Sequence, residues 1–139
     1  HVTALMNVLL SKGADVNAVD NRRATPLFDV IRRNNTSILL LLLESGAELS
    51  AVNCLGQSIL HHAVMHNVHP DTLRWVLSQQ QVDVNAVDHF LLTPLHYACL
   101  HGNQQAFDLL MEHGADILSR DRNSLTPVMF AANHPALLK

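Results

Sequence analysis

The sequence predicts an all-α solenoid of short helix pairs, and three observations carry that prediction. One phrase recurs: Asp20, Asn53, Asp88 and Asp121 open blocks 33, 35 and 33 residues apart, and Thr25, Ser58, Thr93 and Thr126 each follow five residues later. The blocks close alike, on Gly13-Ala14-Asp15-Val16-Asn17, Gly46-Ala47-Glu48-Leu49-Ser50, Gln81-Val82-Asp83-Val84-Asn85 and Gly114-Ala115-Asp116-Ile117-Leu118. Within the clearest block, apolar residues fall at i, i+3, i+4, the period of a helix face. A unit of about 20–50 residues that repeats in this way buries its apolar face only against its neighbours. Such an architecture offers a long surface for a partner rather than a pocket for chemistry.

Block 88–120 shows how one unit is built. Thr93-Pro94 starts a helix, since a hydroxyl N-cap accepts from an otherwise unpaired N–H and proline tolerates the first helical position. Leu95, Ala98 and Cys99 form its apolar face, and it ends near Gly102. A second helix, spanning 104–113, carries Ala106, Leu109 and Leu110, and Gly114 supplies a left-handed C-terminal cap. The stretch from Ala115 to the next helix start reads as a turn-rich connector.

Thr93-Pro94-Leu95-His96-Tyr97-Ala98, then Leu109-Leu110 and Gly114-Ala115-Asp116, resembles the ankyrin repeat, and the resemblance covers almost the whole chain. In order along the chain it implies a partial repeat 1–19 whose second helix is Val2 to Lys12, full repeats 20–52, 53–87 and 88–120, and a partial repeat 121–139. The departures fall in particular blocks. Ser58-Ile59-Leu60-His61 keeps the cap and loses the proline. Two extra residues enter around Val68-His69, before Pro70-Asp71 starts that block's second helix. Gln81 stands where the closing glycine is expected, which weakens the helix end. Phe28 and Met129 replace the histidine of the helix-start phrase, whose hydrogen bond to the next repeat is therefore not expected there.

Composition narrows the function. With 139 residues, 48% of them apolar, the chain can build a packed core. A net charge of −3 gives no overall attraction to nucleic acid or to an anionic membrane, and 4% aromatic content leaves little for base stacking. Cys54 and Cys99 have no metal-ligand spacing and read as free thiols of a reducing compartment, cytoplasmic or nuclear. The longest apolar run, Ile38 to Leu43, falls far short of the roughly 20 residues that cross a bilayer. The chain starts and stops in mid-pattern and reads as a monomeric fragment of a larger protein.

The resemblance also implies hairpin-like fingers set at right angles to the helices. The concave partner surface is then made of finger tips and exposed first-helix positions. The fingers contribute Asn21, Arg22, Arg23 and Ala24, then Cys54, Leu55 and Gln57. They continue with His89, Phe90, Leu91 and Leu92, and then Arg122, Asn123, Ser124 and Leu125. The first helices contribute Arg32 with Arg33, Met65 with His66, Leu100 with His101, and Asn133 with His134. Arg22, Arg23, Arg32 and Arg33 cluster on one repeat, where they are either solvated charge or a forked guanidinium set for carboxylates. Leu55, Met65, Phe90, Leu92 and Leu100 on the next two repeats read as an apolar patch. The expected partner is a peptide or domain acidic at one end and apolar in the middle. Trp75 aligns to the convex side of its helix, as Leu40 does one block earlier, and either packs on the insertion or marks a second interface.

Chemistry finds little support. His62 and His66 share a helix face, but His61 and His96 belong to the repeat phrase and no carboxylate or thiol completes a metal set. Cys99 falls at an inward position, and no phosphate loop or nucleophile elbow is present. No cofactor and no catalysis are expected. The resemblance does imply one modification: Leu9 with Asp15 before Asn17, and Leu77 with Asp83 before Asn85, match the spacing recognised by asparaginyl hydroxylases in ankyrin repeats, with Ser50 and Ser119 at the corresponding places elsewhere. Turn hydrogen bonding is the other role for these asparagines. The function expected is protein–protein recognition, as a scaffold or adaptor within a larger protein. The alternative is a structural spacer, or an inhibitory module packed on a catalytic domain of the same chain.

Overall fold

The computed structural model describes residues 2–132, with side chains from residue 4, so Asn133, His134 and the end of the partial repeat 121–139 lie outside the described residues. Within them run α1 (Val2–Ser11), α2 (Pro26–Arg32), α3 (Thr36–Glu44), α4 (Ile59–Met65), α5 (Pro70–Leu77), α6 (Pro94–Leu100), α7 (Gln104–Glu112) and α8 (Pro127–Ala131). α2 packs on α3, α4 on α5 and α6 on α7. The pairs stack through α2–α4–α6–α8 in one row and through α1–α3 and α5–α7 in the other. This is the helical solenoid that the period predicts.

The repeated positions build its core. Leu27, Leu60 and Leu95, each two residues past a helix cap, are fully buried, and so are Ile31 and Val64 six residues past it. Leu42, Leu77 and Leu110 bury the facing side of the second helices. Burial of one such leucine contributes about 1.5–3 kcal/mol, which no single short helix could supply to itself by propensity alone.

The 35-residue block does not hold both extra residues around Val68-His69, which corrects that expectation: the connection between its helices gains one residue, its second helix is one shorter, and residues 78–87 after that helix number ten against eight in 45–52 and 113–120. Three residues join α2 to α3 and α6 to α7, whereas four, His66–His69, join α4 to α5. Val68 fills core space. His69 caps α5: its Nδ1 accepts the Asp71 N–H at 3.1 Å, and its own N–H reaches Asn34 Oδ1 of the preceding repeat at 2.9 Å. The far end of α5 shows the cost of Gln81. At Gly46 and Gly114 (φ 96° and 90°) the chain turns left-handed, and the next N–H bonds back to Leu42 or Leu110 O at 2.9 and 3.0 Å. In this block the Val82 N–H bonds only to Gln79 O at 3.2 Å, and α5 has eight residues against nine in α3 and α7. A cleft of about 180 Å³ opens between α3 and α5, lined by Leu39, Leu40, Asp71 and Trp75, so the half-buried indole lies beside α3.

Candidate partner-binding surface

Each finger is organised by the residue that opens its block. Oδ1 of Asp20 accepts the N–H groups of Arg22 and Ala24 at 2.8 and 3.0 Å, and Asn53, Asp88 and Asp121 repeat the arrangement at 2.8–3.0 Å. These N–H bonds, Ala24 first, hold the exposed Asp20 carboxyl below its ordinary range. Two backbone bonds close each finger, from opener N–H to the carbonyl four residues on and from the N–H of the fourth residue back to the opener's carbonyl, and the described residues contain no strand. The fingers are therefore side-chain-braced turns rather than β-ribbons.

The fourth residue of every finger turns left-handed: Arg23 (φ 61°), Gly56 (76°), Leu91 (61°) and Ser124 (64°). At Gly56 a Cβ would stand 2.5 Å from His89 Cδ2, so only glycine fits. Leu91 holds this conformation as an exposed branched side chain, and backbone strain of that kind gathers at binding sites. Adjacent tips are tied by a single backbone bond each. Cys54 N–H donates to Arg22 O at 2.7 Å, His89 N–H to Leu55 O at 2.9 Å and Arg122 N–H to Phe90 O at 2.9 Å.

Beneath the tips, two histidines hold successive repeats in register. His61 Nδ1 accepts the Ser58 N–H at 3.0 Å while Nε2 reaches Leu92 O at 2.8 Å; His96 does the same with the Thr93 N–H at 3.1 Å and Leu125 O at 2.9 Å. A carbonyl only accepts, so both rings are the neutral Nε2–H tautomer. Burial lowers the His61 pKa. Both complete capping boxes with Ser58 and Thr93. Thr25 and Thr126, followed by Phe28 and Met129, make no side-chain cap bond.

A second tie joins helix to finger in the middle repeats. Tyr97 Oη donates to Asp88 Oδ2 at 2.5 Å and accepts from Gln57 Nε2 at 3.2 Å. Burial, followed by the Asp88 bond, pushes the phenol up to about 12. One repeat earlier, His62 Nε2 accepts from Asn53 Nδ2 at 3.0 Å, which leaves the proton on a buried Nδ1 without a partner. Burial first, then neighbouring His66, His61 and Arg32, bring His62 down to about 4.

The expected contact residues divide into three groups. Leu55, Phe90 and Leu100 stand 43%, 45% and 40% exposed, with His66, His89 and His101 also exposed. Met65 and Leu92 are half-buried and pack on the core, and Gln57 is buried in the Tyr97 network; these three support the surface from below. Leu91, at 46% exposure, takes the outward place expected of Leu92, whose carbonyl is committed to His61. Arg22 and Arg23 are exposed on the first finger. Arg32 and Arg33 instead share Asp29: Arg33 Nε lies 3.0 Å from Oδ2, and Arg32 bonds Oδ1. Burial works against the ionised Asp29 carboxyl, but the two arginines outweigh it and hold its pKa low. Helical spacing of three and four residues carried that signal in the sequence. Below the tips a cleft of about 460 Å³ opens between α4 and the α6–α7 connection, lined by Met65, Asn67, His101 and Gly102.

Asn17 and Asn85 occupy equivalent bridges. Asn17 Oδ1 accepts the Glu48 N–H at 3.0 Å and its Nδ2 reaches Gly46 O at 3.1 Å. Asn85 does likewise to Asp116 N–H at 2.8 Å and Gly114 O at 3.3 Å. In the fourth block Leu118, not Ser119, holds that place, since its N–H meets Asp116 Oδ1 as that of Asn17 meets Asp15. Cys99 is buried, and burial raises its thiol to about 11. Among the described residues no group of three or more His, Cys, Asp or Glu stands together.

Comparison with known proteins agrees with this geometry. A family profile described as ankyrin repeats, three copies, matches residues 1–88 and again 69–139. The chain is 30% identical over 135 residues to the Transient receptor potential cation channel subfamily A member 1 of Homo sapiens, covering 94% of this chain and 12% of that protein. It is 31% identical over 140 residues to the B-cell lymphoma 3 protein of Homo sapiens, covering 98% of this chain and 31% of that one. A putative ankyrin repeat protein of Rickettsia bellii is 26% identical over 132 residues, 94% of this chain and 72% of its own length. The chain thus spans less than a third of either human relative.

Proposed function

The chain belongs to the ankyrin repeat family, and from that premise we propose that it binds a protein segment along its fingers and inner helices, as a scaffold or adaptor within a larger protein. Ankyrin repeats mediate protein–protein interaction and are typically non-catalytic. The observation that carries the reading is the row of exposed Leu55, Phe90 and Leu91 on adjacent, bonded fingertips. Isolated exposed apolar residues are ordinary, but a contiguous group marks an interaction site. Arg22 and Arg23 add steering for carboxylates at one end of the row. The unpaired Cys54 and Cys99 accord with a reducing setting, cytoplasmic or nuclear. Among the described residues no helix is long and apolar enough to cross a membrane.

The test is selection of peptides on this chain followed by mapping of amide chemical shifts. Shifts confined to the fingers, α4 and α6 are expected. The Leu55→Ala/Phe90→Ala double variant should bind at least about tenfold more weakly with an unchanged unfolding midpoint, as loss of hot-spot anchors implies. Shifts centred on Trp75 and Leu40 would sink the concave reading in favour of the outer face.

Asn17 and Asn85 remain proposed hydroxylation targets, supported by the identical loop each occupies with Asp15 and Asp83 two residues before. Mass spectrometry of protein from animal cells should find one added oxygen on either peptide; its absence from both dismisses the proposal.

A further inference from the structure

We infer that the recognised segment is acidic at both ends, with its apolar centre on Phe90. This deepens the concave-face reading and rests on it. The tips run in order from Arg22 and Arg23, through Leu55, to Phe90 and Leu91, and then to Arg122. Arg122 is fixed three ways. Its N–H bonds Phe90 O at 2.9 Å, its guanidinium donates to His89 O, and Cζ lies 5.6 Å from the Phe90 ring centroid. A guanidinium held over an aromatic face loses little further freedom on binding and keeps donors to spare for a carboxylate.

The finger row presents one exposed carboxylate, Asp20, at its first end. Asp88 and Asp121 are buried, and Asp20 accepts the N–H groups of its own finger. Asp29 occupies Arg32 and Arg33, which leaves Arg22 and Arg23 as the cations of the first end. The remaining acids, such as Glu44, Glu48, Asp108 and Glu112, lie on the second helices and the connectors after them. A chain of net charge −3 therefore turns cations toward its fingers at both ends of an apolar centre.

Fluorescence anisotropy with synthetic peptides tests this. One peptide carries a glutamate pair on each side of a Leu-Phe-Leu centre, two carry the pair on one side only, and charge-matched oligo-dT is the control. The two-ended peptide should bind about tenfold more tightly than either one-ended peptide at low salt. Arg122→Glu should reduce it to one-ended strength, while Arg74→Glu on α5 should not. Equal binding of one- and two-ended peptides, or indifference to Arg122→Glu, overturns the inference; if Phe90→Ala still weakens binding, the concave reading survives. Oligo-dT binding as tightly as the peptide overturns the protein-segment assignment. Failure of all three peptides overturns the two-ended motif, and the selected-peptide footprint then decides the face separately.

Discussion

The first helices of repeats 20–52 and 88–120 start on the same three residues, Thr-Pro-Leu, yet the fourth makes two different joints. In the later repeat His96 closes a capping box with Thr93 and reaches Leu125 O at 2.9 Å, 29 residues ahead. In the earlier one Phe28 fills the same space, Thr25 Oγ1 is buried without a partner, and the Phe28 ring instead meets the edge of His62 with centroids 4.7 Å apart. The two joints are about equally packed and unequally bonded. Registration between repeats is therefore a polar property laid over an apolar scaffold, and it varies along one chain.

The largest way to break the comparison is His96→Phe, which copies the early joint into the late one. It strands the Thr93 N–H and leaves Leu125 O with the Asp121 N–H alone while keeping volume, and should cost about 1–3 kcal/mol in urea unfolding. A loss under about 1 kcal/mol would mean that packing alone sets the joint.

Acid should come next. His62, at the early joint, has a folded pKa of about 4 against an ordinary 6.5, so the unfolded chain takes up its proton first. Stability is then full above pH 6.5 and falls as pH drops toward 4, by about 1–2 kcal/mol after solvent screening. His61, lowered by burial, adds in the same direction. His62→Tyr, which installs the residue of the later repeat, should flatten part of that slope; an unchanged slope assigns it elsewhere.

The smallest effect is the sharpest discriminator. Thr93→Val removes a cap and should cost about 1–2 kcal/mol, whereas Thr25→Val removes a hydroxyl with no partner and should cost less than about 0.5 kcal/mol or stabilise. Equal costs in thermal unfolding would show that the two hydroxyls do the same work.

The scaffold was legible because its signals are local and repeated: the period, the cap phrase, the apolar spacing and the glycine closers each state a backbone requirement. The absence of a histidine bond at Phe28 was legible for the same reason. The surface was less so. Arg32 and Arg33 looked like free cations because the reading followed repeat register, while Asp29 lies in helix register. Leu92 looked like a tip residue because position in a finger does not reveal which way a side chain leaves a left-handed turn at Leu91. Arg122 appeared among the finger residues, but its seat on Phe90, 32 residues earlier, depends on one finger leaning over the next.

That lean has a mechanical consequence. On the helix side, neighbouring repeats share a continuous core; on the finger side, each joint has one backbone bond between tips, such as Cys54 N–H to Arg22 O, and only a few side-chain ties such as Arg122 to His89 O. The stack is stiff along its spine and compliant along its edge, like a hinged strip. It can open or tighten its curvature with little cost in buried area, and a long ligand lying across the fingers would set that curvature as it binds.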